Sequence, residues 1–155
     1  MTEDTLKTLV QDIVEAAVRL KDAKTDTRGV AVGYACIFPR NEGEYRELRQ
    51  VVETVGKETK TTPTGSVYLI PTLETVAGPI RVLKVRIPDV TRPERGDADF
   101  NLADYEEFKR AVLGKPGFTL IPRGDFEMIE LMDPDADVRV YFSNPPVERQ
   151  LGLQL

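Results

Sequence analysis

The sequence predicts an α+β fold in which two βαβββ-like modules build a curved mixed sheet, with an extra helix at the N-terminus. Three observations predict it. An apolar run, Gly29 to Phe38, has strand length and is followed at once by a helical pattern. The order strand, helix, then two or three short strands occurs over residues 30–88 and again over 96–146. The later strands are short and evenly punctuated by Pro, Gly and acidic turns, which suits a curved sheet with helices on one face. No simple sequence repeat links the halves; the order of elements is what recurs. At 155 residues the whole chain, 1–155, is expected to form one domain with a core large enough to need no staples.

Residues 5–23 read as the first helix. Leu6, Leu9, Val10, Ile13, Val14, Ala17 and Leu20 recur at three- and four-residue spacing and paint one apolar stripe. Thr2 or Asp4 supplies a cap oxygen for the free amides of the first turn. The stripe packs on the domain or serves as a dimerisation arm. Gly29 to Phe38 then reads as a strand covered on both faces. Asn41 caps a helix that runs to about Val55 and stops at Gly56. Lys57 to Gly65 is polar and reads as a loop or hairpin flank. Ser66 to Ile70 is a short strand, Thr72 to Ala77 another strand or a turn-bearing loop, and Ile80 to Ile87 a longer strand that Pro88 ends.

The second module opens with a strand from Asp97 to Leu102. Asp104 starts a helix through Leu113, and the Gly114–Gly117 segment breaks it. Three strands follow, Phe118 to Ile121, Phe126 to Met132 and Val138 to Phe142. Arg123-Gly-Asp125 joins the first pair, and the Asp133–Asp137 segment, with its Pro and short acids, turns the second.

Composition narrows function mainly by exclusion. The chain has no histidine, so a Ser-His-Asp arrangement is unavailable. It carries no phosphate-cradling Gly-rich motif and no Trp, and its net charge is −5, which argues against nucleic acid as a partner. No apolar run reaches the ~18 residues that span a bilayer, so no membrane partner is expected. The acidic N-terminus lacks a signal-peptide pattern and Cys36 is the lone cysteine, so no intramolecular disulfide forms and a cytoplasmic location is expected. Cys36 lies within an apolar strand and reads as a small buried hydrophobe.

Two segments carry a resemblance. The run from Gly96 to Phe100 (GDADF) is similar to the opening strand of a vicinal-oxygen-chelate module, the superfamily of glyoxalases and ring-cleaving dioxygenases, where a histidine is followed two residues later by an acid and then an aromatic. The run from Leu131 to Asp137 (LMDPDAD) resembles the late hairpin written DPDGN in that superfamily, with a glutamate ligand on the next strand. The resemblance covers about residues 30–146. It implies two paired βαβββ modules around a concave site that usually holds a divalent metal. Here Asp97 stands where the histidine would be, and the glutamate position falls near Val140. Lacking imidazole, the chain is expected to carry no transition metal and no cofactor.

Five residues are candidates for ligand binding. Asp97 and Asp99, two apart on one strand, share a face. Lys84 and Arg86 share a face of the Ile80–Ile87 strand in the same way. Glu130 is the remaining plausible acidic ligand placed on a sheet strand. If the sheet curves into a cup, the basic pair meets these acids inside it, with Arg92 and Arg95 nearby in the preceding loop. The alternative for the same residues is an ion-pair network at the junction of the modules. The expected function is therefore a glyoxalase-like protein binding a small anionic metabolite without a transition metal. The other readings are a divalent-metal enzyme ligated by Asp97, Asp99 and Glu130, and a homodimeric interaction protein.

Overall fold

Eight strands form one mixed sheet in the order β2-β3-β4-β1-β5-β8-β7-β6. The computed structural model describes residues 1–153. The first module comprises β1 (Val32–Ile37), α2 (Glu42–Val55), β2 (Lys57–Thr62), β3 (Gly65–Thr75) and β4 (Gly78–Arg86). The second comprises β5 (Gly96–Phe100), α3 (Tyr105–Val112), β6 (Phe118–Pro122), β7 (Glu127–Leu131) and β8 (Val138–Asn144). α1 (Glu3–Lys24) precedes them and a short α4 (Val147–Gln150) follows. In each module the first strand runs parallel to the last, β1 beside β4 and β5 beside β8. The modules join through β1 and β5, which pair antiparallel at the centre of the sheet. Exchanging β1–β4 with β5–β8 reproduces the strand order, so the two modules are related by a pseudo-twofold between β1 and β5.

Register decides which side chains meet. One row crosses seven strands as Tyr68, Leu83, Ala35, Ala98, Val140, Leu131 and Phe118. Every member but the half-buried Phe118 is buried in the core. This is the helix-covered face: the Tyr68 hydroxyl donates to Glu53 of α2 at 3.1 Å. α1 lies over β1, β5 and β8, the middle of that face. Its predicted stripe is the buried one, so this helix packs on its own sheet. Thr2 caps it, accepting from the Thr5 amide at 3.1 Å. The stripe ends at Lys21, whose buried Nζ donates to Asp22 Oδ1 at 2.7 Å and to the Thr27 carbonyl at 2.6 Å.

The structure corrects the sequence in three places. The polar segment 57–65 contains β2, an edge strand of six residues paired with β3. It shows no apolar alternation because neither of its faces is fully covered. The segments at 66–70 and 72–77 are one eleven-residue strand, β3, with an irregularity between Leu69 and Leu73. Pro71 is tolerated there because β2 reaches only as far as Leu69, so no ladder partner needs its missing N–H on that side. The third correction is Val140. It stands in the apolar row facing the helices, so it cannot present a ligand to the concave face.

Candidate functional site

Turning the register by one residue gives the opposite face. Val67, Lys84, Cys36, Asp97 and Arg139 form one row across β3, β4, β1, β5 and β8. Tyr34, Asp99, Tyr141 and Glu130 form the next, across β1, β5, β8 and β7. A polar, charged surface on a sheet whose other side is mostly apolar is unusual in a core and calls for an explanation. The sheet curves around this face. A cavity of about 540 Å³ opens there, lined among others by Tyr34, Lys84, Arg86, Arg92, Asp97, Asp99 and Tyr141. Its size falls within the range of metabolite sites.

Both aspartates form the floor. Asp97 is 6% exposed and Asp99 2%. Ser143 donates a short hydrogen bond to Asp99 Oδ2, while Asp99 Oδ1 has no partner. Asp97 has no side-chain hydrogen bond at all among the described residues, and its Oδ1 is buried. Burial, reinforced by the charge of Asp99, pushes the Asp97 carboxyl up to about 7. Burial also raises Asp99 to about 7, against the opposing pull of Ser143. Two strand spacings, about 10 Å, separate the β4 and β5 backbones, with β1 between them. The charges of Lys84, Arg92 and Arg86 nevertheless reach Asp97 and oppose the rise.

The basic wall is built by β4 and the loop after it. Lys84 Nζ donates to Thr64 Oγ1 at 2.5 Å, and burial holds its ammonium below the usual lysine range. Arg86 stands 3.8 Å from Asp89, and its buried Nε has no partner. Arg86 and Arg92 both stack against Phe38, at 5.9 and 5.5 Å from the ring centroid. One buried aromatic thus orients two guanidiniums at the cavity. Arg92 donates to the Tyr141 hydroxyl at 3.3 Å, which donates on to Glu130 Oε2 at 2.5 Å.

The five predicted residues therefore divide. Lys84, Arg86, Asp97 and Asp99 line one cavity. Glu130 lies on the same face one strand further out and is not among the lining residues. Its Oε2 is taken by Tyr141 and by Arg139 Nη1 at 3.3 Å, and Arg139 Nε donates to Glu94 at 3.1 Å. These ion pairs lie on β7, β8 and the loop before β5, not at the β1–β5 junction where the alternative network was expected. Arg95 turns the other way and grips Glu44 of α2 with contacts of 2.6 and 3.0 Å. Tyr34 and Tyr141 were missed by sequence reasoning, although polar Arg139, Tyr141 and Ser143 alternate with apolar Val138, Val140 and Phe142. α4 was missed too. It closes one end of the cavity with Val147 and Gln150. Gly33 seats it: a Cβ there would stand 2.7 Å from both Asn101 Oδ1 and Glu148 Oε1, and Asn101 Nδ2 donates to Glu148 Oε1 at 3.2 Å over this strand.

Two βαβββ units joined edge to edge through their first strands are the arrangement that the sequence resemblance implies. The fold is this paired βαβββ arrangement. A solved structure described as "Structural Genomics, Protein EC4020" shares the fold, with a TM-score of 0.67 at 12% identity over 96% of this chain and 88% of that one. A glyoxalase/bleomycin resistance protein/dioxygenase superfamily member from Vibrio splendidus 12B01 aligns with a TM-score of 0.43 at 8% identity, over 74% of this chain and 97% of that one. No family model matches the sequence, and comparison with curated proteins gives no match.

The donors on the floor of the cup are few. The positions flanking Asp97 in its row are Cys36 and Arg139, a raised thiol and a guanidinium. No group of three or more His, Cys, Asp or Glu residues is placed to hold a metal among the described residues. Lys84, Arg86 and Arg92 line the same cavity as Asp97. Among the described residues, no helix is long and apolar enough to cross a membrane.

Proposed function

We propose that this glyoxalase-like protein binds a small anionic metabolite in the concave face of its sheet and does so without a transition metal. One observation carries the reading. In a chain of net charge −5, a single cavity is lined by Lys60, Lys84, Arg86, Arg92 and Arg123 against only Asp97 and Asp99. Such a concentration of one sign inside low-dielectric walls raises the local concentration of counter-ions. Arg86 is the better anchor for a carboxylate or phosphate, since its planar fork donates two parallel bonds and its Nε lacks a partner. Lys84 adds a point charge deeper in the row, and Arg92 a second fork held by the same aromatic ring.

The test is a thermal-shift and calorimetric comparison of inorganic phosphate, succinate and citrate with sodium chloride at equal ionic strength. At least one of the three anions is expected to raise the melting temperature above the chloride control. Arg86→Ala is expected to weaken that binding by roughly ten- to a hundredfold, the worth of one charge-assisted hydrogen-bond pair. No anion-specific shift, or a shift unchanged in Arg86→Ala and Lys84→Met alike, would move the interaction-protein reading to first place. Tight magnesium or manganese binding lost in Asp97→Ala would revive the metal-enzyme reading.

A further inference from the structure

The anion-binding reading accounts for the basic wall but leaves the floor unexplained. Asp97 and Asp99 are more than nine-tenths buried, and both line the cavity. Asp97 has neither hydrogen bond nor ion pair among the described residues, and Asp99 keeps Oδ1 unpartnered. A buried carboxyl without a hydrogen bond is among the more costly arrangements in a folded chain. For a purely anionic ligand this floor is a handicap, since it repels what the wall attracts. An occupant that brings its own donors to the floor removes both difficulties at once.

Resting on that reading, we infer that the occupant is a hydroxylated acid, with its anionic group on Arg86, Arg92 and Lys84 and one or more hydroxyls against Asp97 and Asp99. The basic and acidic strands flank β1, so the two ends of the ligand lie within about 10 Å of each other, two strand spacings apart. A cavity of about 540 Å³ holds a molecule of that length. The donor is a hydroxyl rather than an ammonium for two reasons. The five cationic side chains around the cavity repel a ligand ammonium. A hydroxyl also matches a carboxyl in either protonation state, donating to the anion or accepting from the neutral acid, whereas an ammonium matches only the anion. The phenol of Tyr34, on the same row as Asp99, offers a further acceptor or donor to the same hydroxyl.

Matched acids of identical skeleton test this by titration calorimetry at pH 7.5. The four-carbon set is succinate, malate, tartrate and aspartate, the six-carbon diacids are adipate and galactarate, and the monoacids are hexanoate and gluconate. In at least one skeleton the hydroxylated member is expected to bind at least ten times more tightly than its deoxy parent. Asp97→Ala or Asp99→Ala is expected to cut that preference to under about twofold, with the deoxy parent binding no more weakly than before because a repelling carboxylate is gone. Circular dichroism melts of both variants establish that each folds, and each removes a different acceptor. The inference is overturned if the deoxy acids bind as well as their hydroxylated partners in all three skeletons. It is equally overturned if the preference survives in both alanine variants, or if aspartate is the best of its set. Absence of binding by every acid, parents included, is a different result: it overturns the anion-binding reading itself.

Discussion

Asp97 stands directly across the β1–β5 ladder from Cys36, and Lys84 stands on the other side of the same cysteine. The pseudo-twofold passes between β1 and β5, so the two modules meet on this row. Module one brings the base and module two the acid, and the small neutral thiol between them keeps the charges apart. The result is a polarised floor rather than a salt bridge. Removing or neutralising its members should have effects that differ in sign and in pH dependence.

The first expectation concerns pH. Asp97 and Asp99 keep their protons up to about 7 in the folded chain but lose them near the ordinary 3.8 when unfolded. The folded state therefore binds more protons between these limits, and this pair's contribution to stability is lost as pH rises from about 4 to about 7. Asp97→Asn removes the charge that burial penalises. It should be more stable than the parent by about 1–3 kcal/mol at pH 8, with a clearly smaller gain at pH 5. Urea titrations at the two pH values measure this. A variant less stable than the parent at pH 8 would show that the Asp97 carboxylate is satisfied in the folded protein.

Cys36 gives the second. Burial, with the neighbouring Asp97 charge, pushes its thiol far above the ordinary cysteine range. The folded protein should react with a disulfide reagent only as fast as it unfolds, and the rate should jump to that of a free thiol in denaturant. Stoichiometric labelling within minutes under native conditions would contradict the packing of this row.

Glu130 and Arg139 give the third. Arg139 joins Glu130 and Glu94 at 3.3 and 3.1 Å, almost buried, outside the cavity lining. Arg139→Ala leaves two acids without their partner and should cost about 3–5 kcal/mol of stability. Glu130→Gln keeps an acceptor for Tyr141 and should leave anion affinity within about twofold. A hundredfold loss of affinity in Glu130→Gln, without loss of stability, would return Glu130 to the binding site.

The fourth concerns metal. Purified protein, dialysed without chelator, is expected to carry no stoichiometric zinc, iron or nickel by elemental analysis, because the floor offers oxygen donors surrounded by cations and no imidazole. One transition-metal ion per chain would contradict that reading of the donor set.

What was legible in the sequence follows local periodicity. Two-residue spacing placed Asp97 with Asp99 and Lys84 with Arg86, and each pair lines the cavity. The same rule, applied to Val138–Asn144, shows Val140 to be a core residue; counting from the Asp133–Asp137 turn misplaced it because turn length does not fix strand phase. β2 was illegible because an edge strand exposed on both sides needs no apolar pattern. The loop arginines were beyond reach for another reason. Arg92 and Arg95 are three residues apart, yet Phe38 and Tyr141 draw one to the cavity while Glu44 draws the other to α2, and those partners come from remote parts of the chain. The partnership of Glu130 with Tyr141 likewise depends on the β7–β8 register.

The central claim is that the concave face, not the helix layer or an edge strand, is where this protein meets its ligand. A two-dimensional nitrogen–proton correlation spectrum titrated with malate, galactarate and inorganic phosphate tests it most directly, since every backbone amide reports. Saturable shifts confined to Tyr34, Lys84, Arg86, Arg92, Asp97, Asp99 and Tyr141 and their chain neighbours are the predicted result. Shifts that cluster on α1 or β2 with the cup silent, or no saturable shift from any of the three, would contradict it.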